Sequence, residues 1–130
     1  MKHARYLGID WGEKRIGLAL ADSELRMALP YKVVASLREV LEIIKEEEIN
    51  QIIIGQPFSL GGRSKALSPK FSAFLSNLKS LSSVTVQLVD ERLSTQEAKM
   101  LMGSSRKSSD HKDDLSAMII LRDYLNQVKN

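Results

Sequence analysis

The sequence predicts an α/β fold: a mixed five-stranded sheet, three antiparallel strands followed by two parallel ones, flanked by helices. Two patterns carry this. The first third of the chain is a series of short apolar runs broken at Gly and Pro, and the rest alternates helix-spaced apolar residues with β-branched runs. At 130 residues the chain suits one core, so residues 1–130 read as a single domain.

Tyr6-Leu7-Gly8-Ile9-Asp10 is an apolar run closed by an acid, and Arg15 to Asp22 is a second run after Gly12-Glu13-Lys14. A tight turn joins the two strands. The third extended segment, around Met27 to Ala35, contains Pro30 and belongs at a strand start or sheet edge, because proline cannot donate to a ladder. Together these predict an antiparallel meander.

Leu37, Val40, Leu41, Ile43 and Ile44 then recur at helical spacing, with Ser36 placed to cap the start and Glu46-Glu47-Glu48 on the polar face. Gln51-Ile52-Ile53-Ile54-Gly55 follows as a continuous apolar run, the pattern of a central parallel strand covered on both faces. Gln56 to Pro69, rich in Gly, Ser and Pro, predicts a long exposed loop. A helix from Pro69 to Ser80 would bury Phe71, Phe74, Leu75 and Leu78. The next strand runs from Val84 to Val89 and ends in Asp90-Glu91. Thr95 to Met102 reads as helix and Gly103 to Ser109 as a polar, basic loop. A final helix enters through Asp113-Asp114 and carries Leu115, Met118, Ile119, Leu121 and Leu125.

Composition narrows the chemistry. With no cysteine in the chain, disulfides and thiolate zinc sites are excluded, and any metal would be held by oxygen ligands or the two histidines. Oxygen ligands point to Mg²⁺ or Mn²⁺. No apolar run approaches the ~20 residues of a membrane span, and the opening residues lead straight into a strand, so a cytoplasmic protein is expected. A net charge of +3 and a pI near 9.2 favour a phosphate-bearing partner.

Ligands of open α/β sheets sit beyond the carboxyl ends of parallel strands. Asp10 and Glu91 fall at such ends, and Asp113 would join them if the last helix crosses the sheet. Carboxylates gathered that closely repel, so a cluster of them calls for a cation. Two cations ~3.5–4 Å apart would suit phosphodiester hydrolysis. Each acid also has a structural reading: Asp at a strand end forms turns, and Asp113 and Asp114 suit a helix start through its dipole. Gly8, Gly12 and Gly17 lack the phosphate-binding spacing and equally fit a hairpin turn and close packing. His111 is near enough in sequence to Asp113 to carry a proton, although a solvated loop histidine is the simpler reading. Trp11 is the one candidate for stacking on an unpaired base, with packing at the strand end as the alternative.

Taken in order, these segments resemble the YqgF/RuvX family of pre-16S ribosomal RNA nucleases, formerly described as Holliday junction resolvase-like. Leu7 to Gly12 with Arg15-Ile16-Gly17 is similar to the family's D-x-G…R-I-G opening, and Ile54-Gly55-Gln56-Pro57 with Gly61-Gly62 to its G-x-P…G loop. Asp90-Glu91-Arg92-Leu93-Ser94-Thr95 matches the D-E-R-[LFY]-[ST]-T block without a change. Asp113 to Ala117, with Ile119-Ile120-Leu121 and Tyr124-Leu125, resembles the closing helix, Ser116 replacing an alanine.

The resemblance implies a ribonuclease H-like fold and a metal-dependent endonuclease that processes pre-16S ribosomal RNA, with Asp10, Glu91 and Asp113 as catalytic and metal-holding triad. Asp10 would bridge two Mg²⁺ or Mn²⁺ ions, and Glu91 and Asp113 would each hold one. Arg15, Arg63, Lys65, Arg92, Arg106 and Lys107 are the expected phosphate contacts. A resolvase acting on branched DNA and a non-catalytic nucleic-acid-binding module are the alternatives.

Overall fold

The computed structural model describes residues 4–24, 27–56, 69–90 and 112–128. β1 (Arg5–Trp11) and β2 (Ile16–Asp22) form an antiparallel hairpin paired from Arg5 opposite Asp22 to Trp11 opposite Ile16. β3 (Leu29–Val34) continues antiparallel on β2. On the other side of β1, β4 (Gln51–Gln56) and β5 (Thr85–Asp90) add in parallel. The order across the sheet is β3-β2-β1-β4-β5, and its mix of three antiparallel and two parallel strands is the one the sequence predicts. Three helices accompany it among the described residues: α1 (Leu37–Glu46), α2 (Pro69–Leu81) and α3 (Lys112–Val128). The helix expected over 95–102 and the basic loop over 103–109 lie outside the described residues, as do residues 57–68 of the long loop.

Strand alternation sorts the core into two layers. Leu7, Ile9, Leu18, Ile52 and Ile54 pack with Val40, Ile43 and Ile44 of α1 and Phe71, Phe74 and Leu78 of α2. On the opposite face Ala19 and Ile53 meet Ala117, Ile120, Leu121 and Leu125 of α3. Ile52, Ile53 and Ile54 are all fully buried, which is why this strand carries no polar alternation. Each such side chain contributes roughly 1.5–3 kcal/mol through burial.

Pro30 sits on the edge strand opposite Ala19. The register then skips from Pro30 to Lys32, leaving Tyr31 as an extra residue in a bulge. The last strand is one residue later than expected, Thr85–Asp90 instead of Val84–Val89.

α1 begins where Ser36 accepts the Glu39 N–H, and Glu39 in turn accepts the Ala35 N–H at 2.9 Å and the Ser36 hydroxyl at 3.2 Å. Its end corrects the expectation that Glu46-Glu47-Glu48 lines a helical face. The helix stops at Glu46, and Glu48 adopts a left-handed φ of 56°. The Ile49 N–H then reaches the Ile44 carbonyl and the Glu48 N–H that of Lys45, closing the helix with a Schellman turn. Glu47 swings toward the sheet: Arg5 donates to its carbonyl at 2.6 Å and its carboxylate at 3.1 Å, and Tyr31 donates to that carboxylate at 3.3 Å. Partial burial, followed by the Glu47 charge, raises the Tyr31 pKa.

Candidate functional site

The site is defined by the carboxyl ends of the three parallel-running strands. Ile9 pairs with Ile54 and Ile54 with Leu88, so β1, β4 and β5 end at one level. Asp10, half-buried, lies there opposite Gly17 of β2. Because side chains alternate, Tyr6, Gly8 and Asp10 share the face covered by α3, whereas Leu7, Ile9 and Trp11 share the face covered by α1 and α2. β5 is two strands from β1, roughly 10 Å away at the usual strand spacing. Val89 of β5 packs in the α3 layer as well.

α3 lies almost on the backbone of β1. A Cβ at Gly8 would stand 2.9 Å from the Ala117 carbonyl oxygen and 2.9 Å from the Leu121 Cβ, so only glycine permits this approach. The Tyr6 and Tyr124 rings meet with centroids 6.2 Å apart. Later residues of α3 thus touch earlier residues of β1: the two elements run antiparallel. α3 therefore points its first turn, which contains Asp113 and Asp114, toward the end of β1 where Asp10 sits.

The β1–β2 turn is tight because a Cβ at Gly12 would lie 2.8 Å from the Arg15 carbonyl oxygen. Gly8 and Gly12 thus serve packing and the turn. Trp11 is packed: its ring meets Phe71 edge-on at 5.4 Å and Phe74 at 6.2 Å. This anchors the start of α2 under the hairpin, and Lys70 reaches across to Glu13 at 3.5 Å. Arg15 is exposed on the same turn. Sequence reasoning did not single out Lys70 or Glu13, since nothing local signals a contact between segments so far apart in the chain.

Of the expected site residues, Asp10 and Arg15 are described, and Asp113 is placed by its backbone in α3. Glu91 and Arg92, which directly follow β5, lie outside the described residues, as do Arg63, Lys65, Arg106, Lys107 and His111. Among the described residues no three acidic or histidine side chains converge as a metal-holding group. No described helix is long and apolar enough to cross a membrane.

Residues 4–127 match the family model described as RuvX, Holliday junction resolvase. A protein of Maridesulfovibrio salexigens named "Putative pre-16S rRNA nuclease" is 36% identical over 93% of this chain and 97% of its own length. A protein of the same name from an Anaeromyxobacter species is 37% identical over 93% and 96%. Among solved structures, Thermus thermophilus RuvC in complex with a Holliday junction substrate superimposes with a TM-score of 0.63 at 18% identity, covering 98% of this chain and 96% of that one. The Fowlpox virus resolvase, solved with Holliday junction DNA, does so with a TM-score of 0.58 at 12% identity over 97% and 99%. These two likenesses concern the fold, which is ribonuclease H-like. Sequence match, sheet order and the crossing of α3 over β1 agree: the chain belongs to the RuvX family.

Proposed function

We propose that this chain is a divalent-metal-dependent endonuclease that hydrolyses phosphodiester bonds of precursor 16S ribosomal RNA, acting in the cytoplasm as a single domain. The observation that carries the reading is the antiparallel run of α3 over β1. From Gly8 to Asp10 the strand advances about 6.6 Å, and from Ala117 back to Asp113 the helix advances about 6 Å in the same direction. In the chain Asp113 comes one turn before Ala117, which meets Gly8, whereas Asp114 comes one turn before Met118. Glu91 is two residues beyond Val89, which packs on the α3 face with period two. This spacing supports the choice of Asp10, Glu91 and Asp113 among the neighbouring acids.

An all-carboxylate donor set from a chain without cysteine fits Mg²⁺ or Mn²⁺. When bound, a pair of such ions would polarise the phosphodiester and activate the attacking water. Asp10, Glu91 and Asp113 would be the residues that hold the metal. Arg15, Arg63, Lys65, Arg92, Arg106 and Lys107 would hold phosphates along the strand being cut, setting its register without reading sequence.

RNA as substrate rests on the names of relatives that match along nearly their whole length. The family description favours branched DNA as the second reading. The test is direct competition: the full chain with Mg²⁺ is given a 16S precursor transcript and a four-way DNA junction at equal concentration. Cleavage of the transcript at the higher kcat/KM is expected, and preferential junction cleavage would transfer the activity to DNA.

A further inference from the structure

The turn that follows β1 carries Glu13, Lys14 and Arg15, all exposed, and is tight: a Cβ at Gly12 would lie 2.8 Å from the Arg15 carbonyl oxygen. An ion pair links it to α2. Lys70 Nζ lies 3.5 Å from Glu13 Oε1, and with the side chains 72% and 58% exposed the pair is largely solvated. Pairs of this kind contribute little to stability, so exchanging the partner of Lys70 costs little. The scaffold beneath does not depend on it. Trp11, packed against Phe71 and Phe74, already joins the hairpin to α2 through apolar contact. The pair thus sits where the turn beyond the carboxyl end of β1 meets α2, on the sheet face opposite α3, with structural work left to its apolar neighbours.

We propose that the Glu13–Lys70 pair is an exchangeable phosphate clamp: a backbone phosphate of the nucleic-acid strand replaces Glu13 as the partner of Lys70, with Lys14 beside it. The strand then passes from the α3 face, over the hairpin, to the start of α2. Glu13 is the built-in competitor. It holds Lys70 in place when no strand is bound, and its charge opposes the incoming phosphate, which weakens binding to short or poorly placed strands. The inference rests on the nuclease reading of the site and adds to it the path of the strand and two residues that set its affinity.

Affinity for a single-stranded RNA oligonucleotide is measured by fluorescence anisotropy with Mg²⁺ across a salt series, using full-length protein carrying Asp10→Asn so that the RNA stays intact. Adding Glu13→Gln should tighten binding roughly two- to fivefold, the effect of removing one exposed like charge. Adding Lys70→Ala should weaken it by a similar factor and lower the salt slope by about 0.7, one phosphate contact on a single strand. Affinity and slope unchanged in both variants would overturn the clamp. Weaker binding in both, with a parallel fall in Tm, would also overturn it and make the pair a structural brace. The nuclease reading is judged separately, by whether the unmodified chain cuts the same RNA. A chain that cuts RNA while its affinity ignores Glu13 and Lys70 loses only the clamp.

Discussion

Gly8 of β1 and Leu121 of α3 approach so closely that a β-carbon on Gly8 would lie 2.9 Å from that of Leu121. The same hypothetical carbon would lie 2.9 Å from the carbonyl oxygen of Ala117, a backbone atom that no rotamer change can move aside. Gly8→Ala should therefore lift α3 from the sheet, destabilising the protein by about 1–3 kcal/mol as overpacking does. Urea denaturation measures this directly. Because the first turn of α3, which contains Asp113, lies toward the end of β1 that carries Asp10, cleavage by the proposed site, measured well below Tm, should fall further than the folded fraction does. A Gly8→Ala protein as stable and active as the wild type would mean that α3 can adjust without consequence.

Glu48 is the described non-glycine residue with positive φ, 56°, in the turn that ends α1. Its side chain is exposed, so replacement by glycine removes strain and no packing. Glu48→Gly should be neutral to stabilising, by up to ~1 kcal/mol, with added chain entropy in the unfolded state offsetting part of the gain. Glu48→Val should be clearly destabilising, since β-branched residues tolerate this region least. The urea midpoints of the two variants should move apart at constant m-value.

The Glu39 carboxyl is held below its ordinary pKa, first by the Ala35 N–H and then by Ser36. A carboxyl whose folded pKa is depressed contributes stability above its unfolded value and loses it as pH falls through the folded one. The advantage of wild type over Glu39→Gln should thus be full above pH 4.5, the ordinary value, and shrink in more acidic solution. Thermal melts of both proteins at pH 6.5 and about pH 3 test this. A difference that grows on acidification would contradict it.

Much of the fold was legible because burial writes itself into composition. Ile52-Ile53-Ile54 announced a strand covered on both faces, Pro30 announced an edge, and Ser36 announced the start of α1. The end of α1 was not legible, since a left-handed cap is normally signalled by glycine and here the position is Glu48. Glu47 looked like one more solvated acid, and its partners Arg5 and Tyr31 come from other strands. The bulge at Tyr31 had no local mark. Asp10 could be chosen from its place at a strand end, but helical periodicity in α3 said only that one face is apolar. Which strand that face crosses, and in which direction, follows from Gly8, Tyr6 and Tyr124 meeting in space.

The central claim is that Asp10, Glu91 and Asp113 act together, and cleavage of a 16S precursor transcript by single-carboxylate variants tests it most directly. Asp10→Asn, Glu91→Gln and Asp113→Asn keep side-chain size and remove the charge that would hold a cation, so chemistry should fail while the fold survives. Each is expected to lower kcat by roughly two orders of magnitude or more, as groups that act as a unit do. Far-UV circular dichroism should stay unchanged. Asp90→Asn and Asp114→Asn, one residue out of phase with the proposed cluster, should keep most activity. Wild-type rates from all three variants, or loss of activity in Asp90→Asn and Asp114→Asn instead, would contradict the account.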